Sequence, residues 1–118
     1  MPSTETELLY RRWIEDLWNG DLDSASEIVA EDFVGHWSDR DVHGRDELTT
    51  LIAGAREMLV ELKFRIEVGP IIDGDFVAGR WAGQGESPDG PISFLGNDIL
   101  RVRDGRFVEF WVASSAGG

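Results

Sequence analysis

Cysteine is absent from this sequence of 118 residues, and no long apolar run occurs. Without cysteine the chain has no disulfide, no thiolate nucleophile and no zinc site that needs sulfur ligands. No apolar run approaches the roughly 18 residues of a membrane-spanning helix. The first residues do not follow the basic and then apolar order of a signal peptide. We therefore expect a cytoplasmic protein without a membrane segment.

Positive charge is also scarce, because 11 basic side chains stand against 23 acidic ones and give a formal net charge of −12. The basic residues form no continuous patch, and the densest groups are Arg11-Arg12 and the segment from Arg101 to Arg106. A strongly negative protein repels phosphate backbones and anionic membrane surfaces. We expect neither nucleic acid nor a membrane as a partner.

The composition that remains is that of a folded globular protein, with 42% apolar and 29% charged residues. A chain of this length builds one core, which predicts a single domain over residues 1–118.

The first part of the chain has helical sequence patterns. The capping-box form of Thr4 to Glu7 predicts a helix from about Glu5 to Trp18, and Asp21 or Asp23 can cap a short second helix.

The middle and the second half of the chain contain the remaining elements. We expect a short strand over residues 33–37, a polar turn over residues 38–44 and a third helix from Arg45 to Leu59. A period of two then predicts strands over residues 62–68, 76–84, 92–103 and 107–114. Helices followed by hairpin-joined strands predict an α+β fold, with about three N-terminal helices packed on the concave face of a curved, mainly antiparallel sheet.

Asp98 is the most informative single residue. In the predicted strand its side chain shares one face with Phe94, Gly96, Leu100 and Val102. If that face is buried, desolvation raises the pKa of the carboxyl and leaves an acid that can stay protonated near neutral pH. If the other face is buried, Asp98 is a solvated strand residue or pairs with an arginine. The pattern alone leaves both interpretations open.

Several segments resemble one known family. They are Trp18 to Asp23, Glu31 to His36, His43 to Leu48, and the stretch from Phe76 to Trp111 with its Gly-Asn-Asp-Ile-Leu-Arg and Asp-Gly-Arg-Phe-Val-Glu-Phe-Trp sequences. These segments are similar to the SnoaL-like polyketide cyclase family, part of the nuclear-transport-factor-2-like superfamily of cone-shaped α+β domains. The superfamily includes cyclases, isomerases, hydrolases and proteins without known catalysis, so the resemblance implies the fold more specifically than the reaction.

The resemblance also assigns positions within the site. Asp98 resembles the aspartic acid that donates a hydrogen bond to a developing oxyanion in ketosteroid isomerases, a use described for that enzyme. Trp37 and Trp13 stand where those isomerases have their base and their oxyanion tyrosine. The cyclases commonly have an acid/base aspartate after the tryptophan of the last strand, where this chain has only Val112, Ala113 and Ser114.

His36 resembles a histidine often seen at that point in the cyclase-like family, and imidazole titrates near the working pH. We consider a two-group site in which His36 accepts a proton alpha to a carbonyl and protonated Asp98 holds the enolate oxygen. The alternative is a hydrogen-bonded histidine at the rim. His43 is expected to order the start of the third helix. We expect no metal, because His36, Asp39, Asp41 and His43 do not have the spacing of a helical His-x-x-x-His pair.

Five tryptophans in a chain of this size exceed what one core needs, and aromatic walls suit a flat apolar ligand. We expect Trp13 and Trp37 in a ligand pocket, with Trp81, Phe94 and Phe110 as further candidate ligand-binding residues. Trp81 can equally belong to the ordinary core.

The function hypothesis is a small-molecule pocket protein, with cofactor-independent acid/base cyclisation or isomerisation of an aromatic or polycyclic ketone as its candidate activity. The alternatives are a non-catalytic ligand-binding or accessory protein of the same fold, and a dimer with only a scaffold role. No cofactor is expected. Phe107, Trp111 and Val77 are candidates for an apolar outer face of the sheet, which predicts a homodimer.

Overall fold

The computed structural model describes residues 2–117, with side chains for residues 4–115. Helix α1 (Pro2–Arg12) continues directly into a π-helical turn, Trp13–Leu17. A 3₁₀ turn at Leu22–Ser24 leads into the short helix α2, Ala25–Ile28, and helix α3 covers Gly44–Met58. Because α1 begins at Pro2, where proline's missing N–H is not needed, Thr4 to Glu7 lie inside the helix and the predicted capping box is wrong.

Six strands form one sheet. They are β1 (Val29–His36), β2 (Asp41–His43), β3 (Val60–Asp73), β4 (Phe76–Ser87), β5 (Gly90–Arg103) and β6 (Arg106–Gly117). Their order across the sheet is β2-β1-β6-β5-β4-β3, in which β1 and β6 run parallel and the other neighbours antiparallel. The predicted α+β architecture, three helices with a curved, mainly antiparallel sheet, is confirmed.

The sheet is larger than the sequence pattern indicated. Strand β1 begins at Val29, four residues before the predicted start. The predicted polar turn contains β2, because Val42 is buried and pairs with Gly35. The predicted last strand ends at residue 114, but residues 114–117 pair with residues 93–96 of β5. Backbone pairing to the neighbouring strand therefore extends β6 through this segment.

The helices pack on one face of the sheet, which we call the concave face, and the opposite face is the outer face. Leu100 and Asp98 of β5 lie on the concave face, where Tyr10 and Trp13 of the first helical segment are fully buried. This placement decides the question left open by the pattern in β5. Asp98 belongs to the buried side of its strand.

An irregularity in β6 changes which of its residues face outward. Arg101 pairs with Glu109 but Val102 pairs with Phe107, so one extra residue, Val108, is inserted in β6. The bulge directs Phe107 into the core while Trp111 lies on the outer face. The prediction that Phe107 and Val77 belong to an apolar outer face is therefore wrong, since both are fully buried.

No helix in the described residues combines the length and the apolarity needed to cross a membrane.

Candidate functional site

A cavity of about 210 Å³ lies between the helices and the concave face. Its walls carry six aromatic rings, and its only polar side chains are one carboxyl and one hydroxyl group. The lining residues are Trp13, Ile14, Trp18, Trp37, Leu51, Ala55, Phe64, Trp81, Asp98, Phe110, Val112 and Ser114. Such a cavity offers apolar contact almost everywhere and polar recognition at two points.

Four of the rings form a closed circuit. Trp13 lies 5.0 Å from Phe110 and 5.8 Å from Trp18, measured between ring centroids. Trp37 closes the circuit, at 5.2 Å from Phe110 and 6.5 Å from Trp18. Most of these pairs meet edge to face, the arrangement that aromatic quadrupoles favour. The rings thus hold one another in place as well as lining the cavity.

Glycines on the sheet make room for the aromatic side chains. A Cβ atom added to Gly96 would overlap with the ring of Trp81, because that indole lies directly against the backbone of the neighbouring strand. Gly79 receives the ring of Tyr10 in the same way, and Gly35 receives Trp37. The glycine positions therefore determine how closely the rings approach the sheet.

Asp98 is the polar centre of the cavity, and only 1% of the residue is exposed. Trp81 donates its indole N–H to Oδ1 at 2.8 Å. Oδ2 accepts two bonds, from the hydroxyl of Tyr10 at 3.2 Å and from the indole of Trp13 at 3.3 Å. A carboxylate has about four acceptor positions, so the unused one on Oδ1 is the position left for a proton or a ligand.

Two opposing effects act on the pKa of Asp98. Burial disfavours the charged form and is the larger effect, while the bonds from Trp81, Trp13 and Tyr10 favour it, so that the pKa is raised to about 7. Burial and the nearby carboxyl also raise the pKa of Tyr10, which therefore remains a neutral donor at physiological pH. The carboxyl of Asp98 can accordingly both take up and release a proton near neutral pH.

His36 does not belong to this site. It pairs with Trp111 in the β1–β6 ladder and stacks on that indole on the outer face, with ring centroids 5.6 Å apart. Gly35 and Trp37, the residues on either side of His36, face the cavity instead, because side chains alternate between the two faces along a strand. The predicted catalytic pair of His36 and Asp98 is therefore wrong, since the sheet separates the two residues.

On the outer face His36 is the centre of a charged cluster. Its Nε2 lies 2.8 Å from Glu109 and its Nδ1 lies 3.0 Å from Asp41. Arg101 donates to the other oxygen of Glu109 at 3.2 Å. The bonds to Glu109 and then to Asp41 raise the pKa of His36, and the bond from His36 lowers the pKa of Glu109.

Among the predicted ligand-binding residues, Trp13, Trp37, Trp81 and Phe110 line the cavity. Phe94 does not, because it lies farther along β5, beside Gly83 and Lys63 in a separate surface groove. His43 is the residue before α3, and its backbone N–H donates to Glu47 at 2.9 Å. In the described part of the chain, no three metal-ligating side chains converge.

The sequence interpretation missed Tyr10 and Trp18. Tyr10 lies three residues before Trp13, and this spacing places both side chains on one helix face, a signal that could have found it. The position of Trp18 at the cavity has a cause that the sequence pattern does not show. The π-helical turn, in which the N–H of Trp18 donates to the carbonyl of Trp13, adds a residue to the turn and so rotates Trp18 toward the cavity.

Comparison with known proteins places these features in context. The family model of the SnoaL-like domain matches residues 10–110. A solved "putative polyketide cyclase" from Bacillus cereus ATCC 10987 is 27% identical with a TM-score of 0.84, and the match covers 98% of this chain and 81% of that chain. IdmH from Streptomyces antibioticus, described in the same words, is 24% identical with a TM-score of 0.78, covering 94% and 91%.

A third structure, a "putative SnoaL-like polyketide cyclase" from Jannaschia sp. CCS1, is 18% identical with a TM-score of 0.80, and the match covers 96% of this chain and 86% of that chain. At such identities the last two similarities concern the fold alone. No curated protein matches the chain significantly.

Proposed function

Because the chain belongs to the family of SnoaL-like domains, we propose that residues 1–118 form one domain that binds a small aromatic ketone and moves its protons through Asp98. The reaction is a cyclisation or isomerisation by acid/base chemistry, without a cofactor. This assignment agrees with the names of the similar structures from Bacillus cereus and Streptomyces antibioticus.

One observation carries the proposal, namely a buried carboxyl with a pKa raised to about 7 in a cavity lined almost entirely by aromatic and aliphatic side chains. A general acid or base works best when its pKa lies near the operating pH. Burial provides this pKa for Asp98, and the three donors fix the orientation of the carboxyl. The group is thus prepared for proton transfer before any ligand arrives.

The available positions suggest how the transfer proceeds. The ionised form of Asp98 takes the proton alpha to the carbonyl at the unused position on Oδ1. In an isomerisation the resulting carboxylic acid returns the proton to another carbon. In a cyclisation the enolate carbon bonds to a second carbonyl carbon, and the carboxylic acid protonates the alkoxide oxygen formed there. The hydroxyl of Ser114, the other polar side chain of the lining, can donate to the ketone oxygen as negative charge develops there. His36 takes no part, since it lies on the outer face.

The size of the cavity limits the bound part of the ligand. A dry cavity of about 150 Å³ holds benzene, and this one is larger, at about 210 Å³. It therefore suits one or two fused rings, or the reacting end of a polycyclic compound.

A second candidate function is ligand binding without turnover. It is favoured by the fact that Asp98 is the only titratable side chain among the twelve lining residues. A single carboxyl must act as both acid and base, whereas a binding protein requires only that it orient the ligand.

Deuterium exchange separates the two candidates without knowledge of the natural substrate. 1-Tetralone, a two-ring ketone, is incubated with the protein in deuterium oxide, and loss of its α-protons is followed by NMR. We expect catalysed exchange with the wild type and at least a tenfold slower rate with Asp98→Asn, about 1.4 kcal/mol in barrier. The control Asp89→Asn removes the same charge from an exposed turn and should exchange at the wild-type rate.

The two failures of this experiment have different meanings. Binding of 1-tetralone without catalysed exchange would support the non-catalytic function. Absence of binding, judged from tryptophan fluorescence, would contradict the proposed ligand class.

We further propose a homodimer through the outer face and a cytoplasmic location. Leu95, Ile99 and Phe76 are between 41% and 48% exposed there, around the centre of the sheet. Ile99 pairs with Trp111 on one side and with Ala78 on the other, so the apolar surface is continuous across three strands. A second copy covering this face would remove it from water.

A further inference from the structure

Within residues 4–115, whose side chains are described, the carboxyl of Asp98 has no cationic partner. Its three hydrogen-bond donors, Tyr10, Trp13 and Trp81, are all neutral groups. No ion pair among the described residues includes Asp98. When it ionises, the negative charge is therefore buried and uncompensated, which is costly unless a partner supplies the opposite charge.

The surroundings of this charge are suited to a cation of a particular kind. Aromatic faces attract cations through their quadrupole, and tryptophan does so most strongly. Six aromatic rings, four of them indoles, line the cavity with Asp98, and none of the lining residues is basic. Such walls can replace the weak hydration of an alkylated ammonium group, but not the tight hydration of a small inorganic ion.

The charge of the whole molecule acts in the same direction. A formal net charge of −12 attracts cations toward the protein and raises their local concentration. An anionic ligand would meet this field and then the carboxyl of Asp98, with no basic side chain at the cavity to receive it.

From these observations we propose that the cavity is a binding site for a small organic cation, an alkylated ammonium ion whose charge faces Asp98 and whose apolar groups contact the tryptophans. The site is the one described above, but this inference does not require turnover. A trimethylammonium group is smaller than the benzene that fills a cavity of about 150 Å³, so it fits the volume of about 210 Å³ with its substituent.

A pair of isosteric probes tests the charge directly. Choline and 3,3-dimethylbutan-1-ol have the same shape and differ in the nitrogen cation that replaces a carbon atom. Both are titrated against the protein by NMR, with the indole N–H signals of Trp13 and Trp81 as reporters. We expect choline to bind at least about tenfold more tightly at pH 8.5. Equal affinities, or tighter binding of the alcohol, would overturn the proposal.

Two variants test which acidic residue causes the preference for choline. Asp98→Asn should remove the advantage of choline, while Asp89→Asn, which removes one exposed acidic charge, should keep it. If both variants lose the advantage equally, the cation is held by the general field of the acidic surface and not by the cavity. That result also overturns the proposal.

A pH series on the wild type also tests whether the charge of Asp98 binds choline. It needs no substitution, so it can be used even if Asp98→Asn does not fold. Among the described residues, Tyr10 is the only titratable group that is hydrogen-bonded to Asp98, and it stays neutral across this range. As the carboxyl becomes protonated, the affinity for choline should fall at least about tenfold between pH 8.5 and pH 5.5, and that for the alcohol should not change. A pH-independent affinity for choline would contradict the site.

The proton-transfer proposal and the cation proposal fail separately. Catalysed exchange of 1-tetralone with no preference for choline would support the proton-transfer proposal and overturn the cation proposal. A preference for choline without exchange would identify a cation-binding protein.

Discussion

The indole N–H of Trp81 donates to Asp98 at 2.8 Å, and the six-membered ring of the same indole lies against the backbone of Gly96. Gly96 and Asp98 are two residues apart on β5, so one short stretch of strand both supports the ring and carries the carboxyl that the ring contacts. The absence of a side chain at Gly96 thereby fixes the position of the shortest hydrogen bond to the candidate acid/base group.

Replacing Gly96 by alanine should disturb both the ring and the carboxyl. The new Cβ would overlap with Trp81, so the indole must move away from the strand and its bond to Asp98 is lost. We expect a loss of about 1–3 kcal/mol in the free energy of unfolding, the usual range for overpacking. Chemical denaturation measures it, and the quenching of tryptophan fluorescence by 1-tetralone reports the altered cavity.

Gly54→Ala is the matched control. Gly54 lies within α3, and beyond the neighbouring backbone of that helix an added Cβ there meets nothing within 4 Å. Alanine in a helix interior stabilises by roughly 0.5–1 kcal/mol relative to glycine. Destabilisation by Gly54→Ala, or an unaffected Gly96→Ala, would contradict the role given to the glycine under Trp81.

Trp81→Phe separates the hydrogen bond from the aromatic wall. Phenylalanine keeps a ring but removes the N–H that favours the ionised form of Asp98, so the pKa of the carboxyl should rise above its value of about 7. A ¹³C NMR titration of the aspartate carboxyl groups measures the shift. Trp111→Phe, on the outer face, should leave this pKa unchanged. A lower pKa for Trp81→Phe would mean that water admitted by the smaller ring outweighs the lost bond.

The sequence predicted the fold well because hydrophobic period and turn residues are local signals. The three helices and the long hairpin-joined strands all depend on neighbouring residues. Strand β2 and the beginning of β1 were missed, since they are ordered by pairing between segments and not by their own composition.

On the sheet, side-chain alternation predicted site residues correctly where the strand parity was regular. Asp98 and Trp81 lie on strands without a break between them and the core positions, so the alternation placed them correctly once the buried face was known. Family resemblance associated His36 with Asp98, but a resemblance does not show on which face of the sheet a side chain lies. The bulge at Val108 puts Phe107 and Trp111 on opposite faces of the sheet, and no local sequence pattern indicates such an insertion.

The titration of Asp98 should appear in the stability of the protein. Its pKa is about 7 in the folded state against an ordinary value of 3.8. Between these values the folded state binds a proton that the unfolded state has released, so the free energy of unfolding contributed by this group falls as pH rises from about 4 to 7. The contribution is complete below that window.

The Asp98→Asn variant cannot titrate at this position, so it serves as the reference. We expect the difference in unfolding free energy, wild type minus variant, to increase as pH is lowered from 8 to 5, when measured by urea denaturation. A difference independent of pH would show that the buried carboxyl is not titrating in this range.

His36 should show a pH dependence of stability in the same direction but in a higher pH window, and it should have no role in the cavity. Its pKa is raised by Glu109 and Asp41, so its stabilising effect is complete below the ordinary value of 6.5 and is lost as pH rises through the raised value. His36→Gln keeps hydrogen-bonding atoms without the charge. It should lower the melting temperature more at pH 6 than at pH 9, while the exchange of 1-tetralone stays at the wild-type rate. Slower exchange would return His36 to the candidate site.

Ile99→Arg tests the proposed homodimer. Ile99 is 48% exposed on the central strand of the outer face, between Ala78 and Trp111, so a charge there would have to be desolvated in any interface covering this face. We expect the wild type to sediment as a dimer at micromolar concentration and the variant as a monomer. Leu8→Arg is the control, because Leu8 is 59% exposed on α1, which packs on the other face. A monomeric wild type would contradict the homodimer. A dimer that persists in Ile99→Arg but is lost in Leu8→Arg would place the contact elsewhere than on the outer face.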